Sequence, residues 1–271
     1  MTDLFTPKFG FAEVDGVARA RERGIEPRLK PSGYKVEEIG PLAEFLHNAE
    51  SDNPSIPTWL DADSLDRFFG ALSVSGATSQ SAGSSRAWLC GSELSDEEMI
   101  TTFQQRAHLS AKKAGFASNS PFIASALGEL IGNVVDHSNA VETGKALLLA
   151  KNGQIELVVS DRGIGALSSL RTCELFVSLS NEGEALTKMI EKGVSRFGEA
   201  SSHGFGFRPI FEKLANMTGY LRFRSGDYAL TLDGRFGDKV SLQLAQKPRL
   251  PGFFVNVVCR LDNKRTDRIA L

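Results

Sequence analysis

The stretch Ala126–Ala140 reads ALGELIGNVVDHSNA, and within a run apolar enough for a buried helix Glu129, Asn133 and His137 recur every four positions. At 100° per residue from Phe122, the apolar positions Phe122, Ile123, Ala126, Leu127, Leu130, Ile131, Val134 and Val135 fill an arc of about 220°. Glu129, Asn133 and His137 fall at about 340°, 20° and 60°, along one shoulder of that arc. Gly128 and Gly132 flank them on the polar side. Each costs about 1 kcal/mol in a helix interior, so a requirement other than helix stability selects them. Alone, such a line reads as polar residues satisfied at the rim of a core. Its chemistry depends on what surrounds it.

Upstream, LSDEEM (Leu94–Met99) offers Ser95 as an N-cap, Glu98 as its capping-box partner and a Leu94–Met99 staple. These predict a helix from Asp96 to about Ala114, stopped by Gly115. Ser120 as cap and Pro121 at the first helical position predict the second helix, which carries the opening stretch. Downstream, KALLLAK (145–151) and QIELVVS (154–160) are β-rich runs separated by Asn152-Gly153 alone, a strong hairpin signal. The second strand ends at SDRGIG.

A helix over Glu182–Lys192, closed by Gly193, then leads into VSRFGEASSHGFGF (194–207), and a further helix runs through Met217 to Gly219. Four strands are expected after it, YLRFR, YALTL, VSLQL and FFVNVVCRL, followed by the polar tail DNKRTDR. Toward the N-terminus the chain is rich in Pro and Gly, with short helices at about Pro41–Asn48 and Leu65–Leu72. The Ser/Gly-rich segment Ser73–Ser85 reads as a linker. The expected organisation is an N-terminal region, 1–93, a main domain, 94–261, and a tail, 262–271.

With 271 residues, 41% hydrophobic, 24% charged and a net charge of −2, the composition is that of a globular chain with no basic excess for nucleic acid. No apolar run approaches the roughly 20 residues that span a bilayer, and the start lacks a secretory pattern, so a cytoplasmic location away from membranes is expected. Cys90, Cys173 and Cys259 are odd in number and widely spaced, against disulfides or a zinc site.

Three motifs in order, ELIGNVVDH (129–137), DRGIG (161–165) and HGFGF (203–207), resemble the N-box and the two glycine boxes of the GHKL superfamily of ATP-binding domains. The resemblance extends over about Leu94–Leu261. The segment ITTFQQRAHLSAKKAGF is similar to the first helix of anti-sigma-factor serine kinases, and LPGFFVNVVCRL to the last strand of bacterial members. It implies a Bergerat fold: an α+β, two-layer α/β sandwich whose mixed, mainly antiparallel sheet carries helices on one face, beside a smaller N-terminal region of unreadable fold.

The resemblance also implies ATP and Mg2+ as cofactors. Asn133 would give magnesium an amide oxygen beside nucleotide phosphates, as suits a hard cation. Glu129, one turn earlier, would orient or deprotonate the group attacking the γ-phosphate. His137 would lie toward base or sugar. Asp161 would accept from the adenine amino group, with Gly163 and Gly165 allowing close backbone approach. Ser202, His203, Gly204, Phe205 and Gly206 form the second box, before a helix N-terminus suited to phosphates. Ser202 stands where the fuller motif has glycine. Arg196 and Arg208 read as surface positions, and Gly193–Phe207 as a lid that orders on ligand binding.

The functional expectation is a Mg-ATP-binding regulatory protein acting on a protein partner by phosphorylation or sequestration. The alternatives are an ATP-gated switch with slow hydrolysis, or a binder without turnover. The N-terminal region would then serve partner binding or homodimerisation.

Overall fold

The computed structural model describes residues 7–25, 34–48, 79–81, 84–191, 213, 217, 219–235 and 240–261. The expected helix at Leu65–Leu72, the lid with Arg196 and Arg208, the second glycine box Ser202–Gly206 and the tail 262–271 lie outside the described residues. The fold is α+β. Among the described residues six strands, β1 (Ser79–Ser81), β2 (Ser84–Cys90), β3 (Lys145–Lys151), β4 (Gln154–Asp161), β5 (Gly219–Asp233) and β6 (Ser241–Arg260), form one sheet in the order β1-β2-β3-β4-β6-β5. Neighbouring strands all pair antiparallel. The sheet is therefore antiparallel rather than mixed among the described residues, whose parallel pairing is the isolated bridge Lys8–Lys35.

Among the described residues six α-helices accompany it: α1 (Phe11–Glu22), α2 (Ile39–His47), α3 (Glu97–Lys113), α4 (Ser120–His137), α5 (Gly165–Leu170) and α6 (Glu182–Met189). No helix among the described residues is long and apolar enough to cross a membrane. The β3–β4 hairpin has the expected two-residue loop, pairing Lys151 with Gln154. Only Gly153 of the loop takes a positive φ, 71°, so the turn is not the type I′ form that Asn-Gly most often makes.

The N-cap of α3 is Asp96, whose carboxylate accepts from the N–H groups of Glu98 and Met99 at 2.9 and 3.1 Å, and not Ser95. A carboxylate one residue nearer the helix outcompetes the hydroxyl for the same orphan donors. At α4 the N-cap position is Asn119, not Ser120, and its side chain makes no cap hydrogen bond, while the Ser120 hydroxyl donates to the Ala117 carbonyl. The four C-terminal strands expected from sequence are two long ones. The segments between the expected strands, 225–227 and 245–252, end no strand: β5 and β6 stay paired across them with register shifts on both sides of Gly226, a bulge in place of two hairpin ends.

Side-chain alternation splits this sheet into two faces. Ile155, Leu157 and Val159 of β4, Leu221 and Phe223 of β5, and Val255, Val257 and Cys259 of β6 belong to the main core, with Ile123, Leu127, Leu130, Ile131 and Val134 of α4 and Phe103 and Ala107 of α3. Val135, assigned to the buried arc from sequence, is 38% exposed.

The opposite face is covered by α1 and α2, a correction to the reading of helices on one face only. Val158, Leu250 and Phe254 pack there with Phe11, Ile39 and Ala43. The expected boundary at 93/94 also cuts a continuous structure, because β2 precedes it and is hydrogen-bonded along its length to β3. The segments 7–25 and 34–48 are thus built onto the sheet.

The covering is secured by buried charge. Arg222 donates through Nε and Nη2 to Glu44 at 2.8 and 3.0 Å and through Nη2 to Asp15 at 2.5 Å. Arg224 donates to Glu44 and to the Pro248 carbonyl, and Lys247 pairs with Asp15 at 2.7 Å. Glu156 lies where α2 begins, and its carboxylate accepts from Ile39 N–H at 2.8 Å, Gly40 N–H at 2.7 Å and Asn256 Nδ2 at 2.9 Å. A strand residue thereby satisfies the orphan donors of a helix more than a hundred residues away. Gly40 permits it, since a Cβ there would meet the Asn256 side chain at 2.3 Å.

Candidate functional site

The three polar residues of α4 are placed as their spacing predicts. Glu129 is exposed, Asn133 and His137 are half-buried, and the apolar positions beside them are sealed in the core. From Glu129 to His137 the line runs about 12 Å, at 1.5 Å per residue. Asn133 Nδ2 donates to the Glu129 carbonyl at 2.6 Å, which ties the side chain to its own helix and leaves the amide oxygen as its acceptor. That oxygen is the atom a hard cation would take. Among the described residues no cluster of three or more His, Cys, Asp or Glu could hold a metal by itself, so a cation here would need its other ligands from a bound molecule or water.

Of the two glycines flanking this line, Gly128 has a packing reason. A Cβ there would come within 1.8 Å of Gln104 Nε2, the side chain by which α3 reaches across to the Ala124 carbonyl. Gly132 faces open space, and nothing in the packing explains it.

The helix ends at Ser138, after which Asn139 adopts a positive φ of 56°, the left-handed conformation that closes many helices. Into this corner comes the loop leaving β4. Ile164 N–H donates to the Ser138 carbonyl at 2.9 Å, and a Cβ on Gly163 would lie 1.9 Å from the same oxygen. Only glycine permits that approach. The close contacts Gly163 makes here are to the end of α4, whereas the sequence reading reserved its freedom for a ligand.

Asp161 sits at the head of the loop, 2% exposed, facing the α4 side of the sheet in line with Ile155, Leu157 and Val159. Its Oδ1 accepts from Gly163 N–H at 2.8 Å, and no other hydrogen bond reaches the carboxylate among the described residues. Burial pushes the carboxyl up to about 6, against the opposing pull of that N–H. It is a buried carboxyl with one hydrogen bond made and acceptor capacity left over. Such a group selects for a donor.

A second set of residues holds the loop from behind, and sequence reading assigned them no role. Gly252 of β6, at φ 66°, lies so close that a Cβ would meet the Asp161 carbonyl at 2.2 Å. Ser225, buried in the β5 bulge, accepts from Ala166 N–H at 2.9 Å and donates to the Gly252 carbonyl at 3.0 Å. Glu182 accepts from Leu167 N–H at 3.0 Å, and burial raises its carboxyl. Thr143 accepts from Arg162 N–H at 2.9 Å. The sequence signals for them were slight: the glycine of LPGFF, in a segment likened to a last strand, and the serine of RSGD, between two expected strands.

The structure thus brings Asp161, Gly163 and Gly165 to the His137 end of α4, while Glu129 and Asn133 continue from there along one exposed shoulder. Beyond them, Lys213 lies over the Phe122 ring at 4.4 Å, which places one residue of the segment following the second glycine box beside the first turn of α4. Set against family models, curated proteins and solved structures, the chain matches none.

Proposed function

We propose that this protein binds Mg-ATP between α4 and the loop Asp161–Gly165, as a regulatory protein of the histidine-kinase-like ATPase class built on a Bergerat-type fold. It acts on a protein partner by phosphorylation or ATP-dependent sequestration. One observation carries the reading. A buried, singly bonded carboxylate at a strand end is locked by backbone contact to the end of the helix that bears Glu129, Asn133 and His137 in line.

The residues divide the work along that line. Asp161 accepts from the exocyclic amino group of adenine, and His137 lies toward the sugar. Asn133, four residues back along the helix, offers its amide oxygen to magnesium. Glu129, a further turn away and exposed, orients or deprotonates the group that attacks the γ-phosphate. Ser202, His203, Gly204, Phe205 and Gly206 complete the phosphate end in this reading. Magnesium, when bound, neutralises charge that develops on the phosphates.

Competition binding tests the assignment. Asp161→Asn is expected to weaken ATP more than GTP, because the lost acceptor pairs with an adenine donor, and an unchanged ratio of affinities refutes it. Within the helix, Asn133→Ala is expected to lose the metal-dependent part of ATP affinity, while Glu129→Ala keeps affinity and loses turnover. Incubation with labelled ATP and candidate proteins then separates phosphoprotein from free phosphate.

A further inference from the structure

The loop Asp161–Gly163 has two sides, and its second side touches the N-terminal segment. Asp161 faces α4. Arg162, one residue on, faces the opposite side of the sheet, where its guanidinium Nη1 donates to the His47 carbonyl at the C-terminal end of α2 at 2.7 Å. A cation there also suits the negative end of the helix. His47 makes a second link, with Nε2 bonded to the Pro251 carbonyl at 2.8 Å. Pro251 precedes Gly252, whose backbone is wedged against Asp161, Arg162 and Gly163. The end of α2 is therefore fastened at two points to the peptide units that position Asp161.

The other end of α2 is fastened to the same strand, through the bonds from Ile39 and Gly40 to Glu156. Helix α2 thus bridges β4 along its length. A ligand that fixes Asp161 in one position fixes the Arg162 backbone with it, so the bond to His47 loses less freedom when it forms.

We propose that occupancy of the α4 site by Mg-ATP is linked through Arg162 and Pro251–Gly252 to the docking of α2, so that nucleotide tightens the N-terminal segment on the back of the sheet. The inference rests on the nucleotide reading given above. It makes the α1–α2 layer the element whose docking reports the state of the site. By linkage, the factor by which nucleotide tightens α2 is the factor by which docked α2 tightens nucleotide.

Hydrogen exchange on the full chain, with nucleotide binding measured separately by calorimetry, tests it. Saturating Mg-ATP is expected to slow exchange in the last turn of α2, Glu44–Asn48, by about 5-fold or more. Arg162→Ala is expected to abolish most of that slowing. Should this variant fail to fold, His47→Ala, which cuts the bond to Pro251 and leaves the loop sequence intact, is read the same way. Calorimetric binding with unchanged exchange at α2 in the parent overturns the coupling and leaves the nucleotide reading standing. Slowing equal to the parent's in the variant overturns the route through these residues. If calorimetry detects no binding, the nucleotide reading fails and the coupling falls with it.

Discussion

Along β4, β5 and β6 both faces of the sheet are largely buried, and the two are held by different physics. On the α4 side, Ile155, Leu157, Val159, Phe223 and Val255 meet apolar helices, and burial of apolar area supplies the stability. On the α2 side, the same three strands present Glu156, Arg222, Arg224 and Asn256, each 3% exposed or less. Only a few apolar residues, among them Val158 and Phe254, lie between them. An apolar layer loses stability in proportion to the volume removed. A buried charge network instead fails abruptly when one partner goes, because the remaining charges cannot return to water.

The largest expected effect breaks the network. Glu44→Ala leaves the guanidinium groups of Arg222 and Arg224 buried without their shared carboxylate and is expected to cost about 3–5 kcal/mol, measured by chemical denaturation. Glu44→Gln keeps the shape and discards the charge, and most of the loss is expected to remain. If Glu44→Gln proves nearly neutral, charge is not what holds the back layer.

The matching change on the apolar face is Leu130→Ala. Leu130 is fully buried, and the truncation is expected to cost about 2–5 kcal/mol in the same assay. Here the conservative swap should rescue, with Leu130→Met costing less than about 1.5 kcal/mol. Failure of methionine to rescue would show that this face, too, depends on specific geometry rather than volume.

The smallest effect is a pH dependence that distinguishes two groups within the α2 layer. Burial and the neighbouring Glu38 raise the Glu156 carboxyl to about 7, from an ordinary value near 4.5. Its stabilising contribution is therefore fully present below about 4.5 and is lost as pH rises through about 7. Burial lowers His47 to about 4 from 6.5, so its contribution is present above about 6.5 and is lost as pH falls toward 4. Between those limits the two oppose each other. The stability difference between parent and Glu156→Gln should fall with rising pH across 4.5–7, by at most about 1.4 kcal/mol per unit. For His47→Ala the difference should rise. Thermal melts in overlapping buffers measure both, and slopes of like sign would mean that one of these environments is misassigned.

The contrast between faces also explains which parts of the fold could be read beforehand. The elements on the α4 side are local in origin: α3 has an acidic N-cap before an amphipathic run, α4 a continuous apolar stripe, and the β3–β4 hairpin its Asn-Gly turn. Each signal sits within a few residues of the structure it forms. The bends in β5 and β6 were not legible, because a bulge and a turn draw on the same Gly, Pro and Ser residues, and only the pairing partner tells them apart. The capping residue of α3 was missed by one position because Ser95 and Asp96 both qualify and their competition is decided by geometry.

The candidate site divides the same way. Glu129, Asn133, His137 and Asp161 stood out because a carboxylate, an amide or an imidazole recurring beside an apolar stripe, or at a strand end, is conspicuous. Ser225, Gly252 and Thr143 did not, since their roles consist of contact with a loop 19 to 91 residues away in sequence. No local pattern encodes a contact of that kind.

The sequence alone determined the helix-forming and strand-forming runs of the α4 layer, their caps to within a residue, and the line of polar groups on α4, all of which follow from side-chain periodicity and short-range hydrogen bonding. Tertiary structure decided that the alternate, charged positions of β4, β5 and β6 are covered. A residue facing solvent and a residue facing a buried countercharge leave the same polar mark in an alternating strand. Asp15 and Glu44, 178 to 207 residues from their arginine partners, became countercharges only once α1 and α2 lay on the sheet.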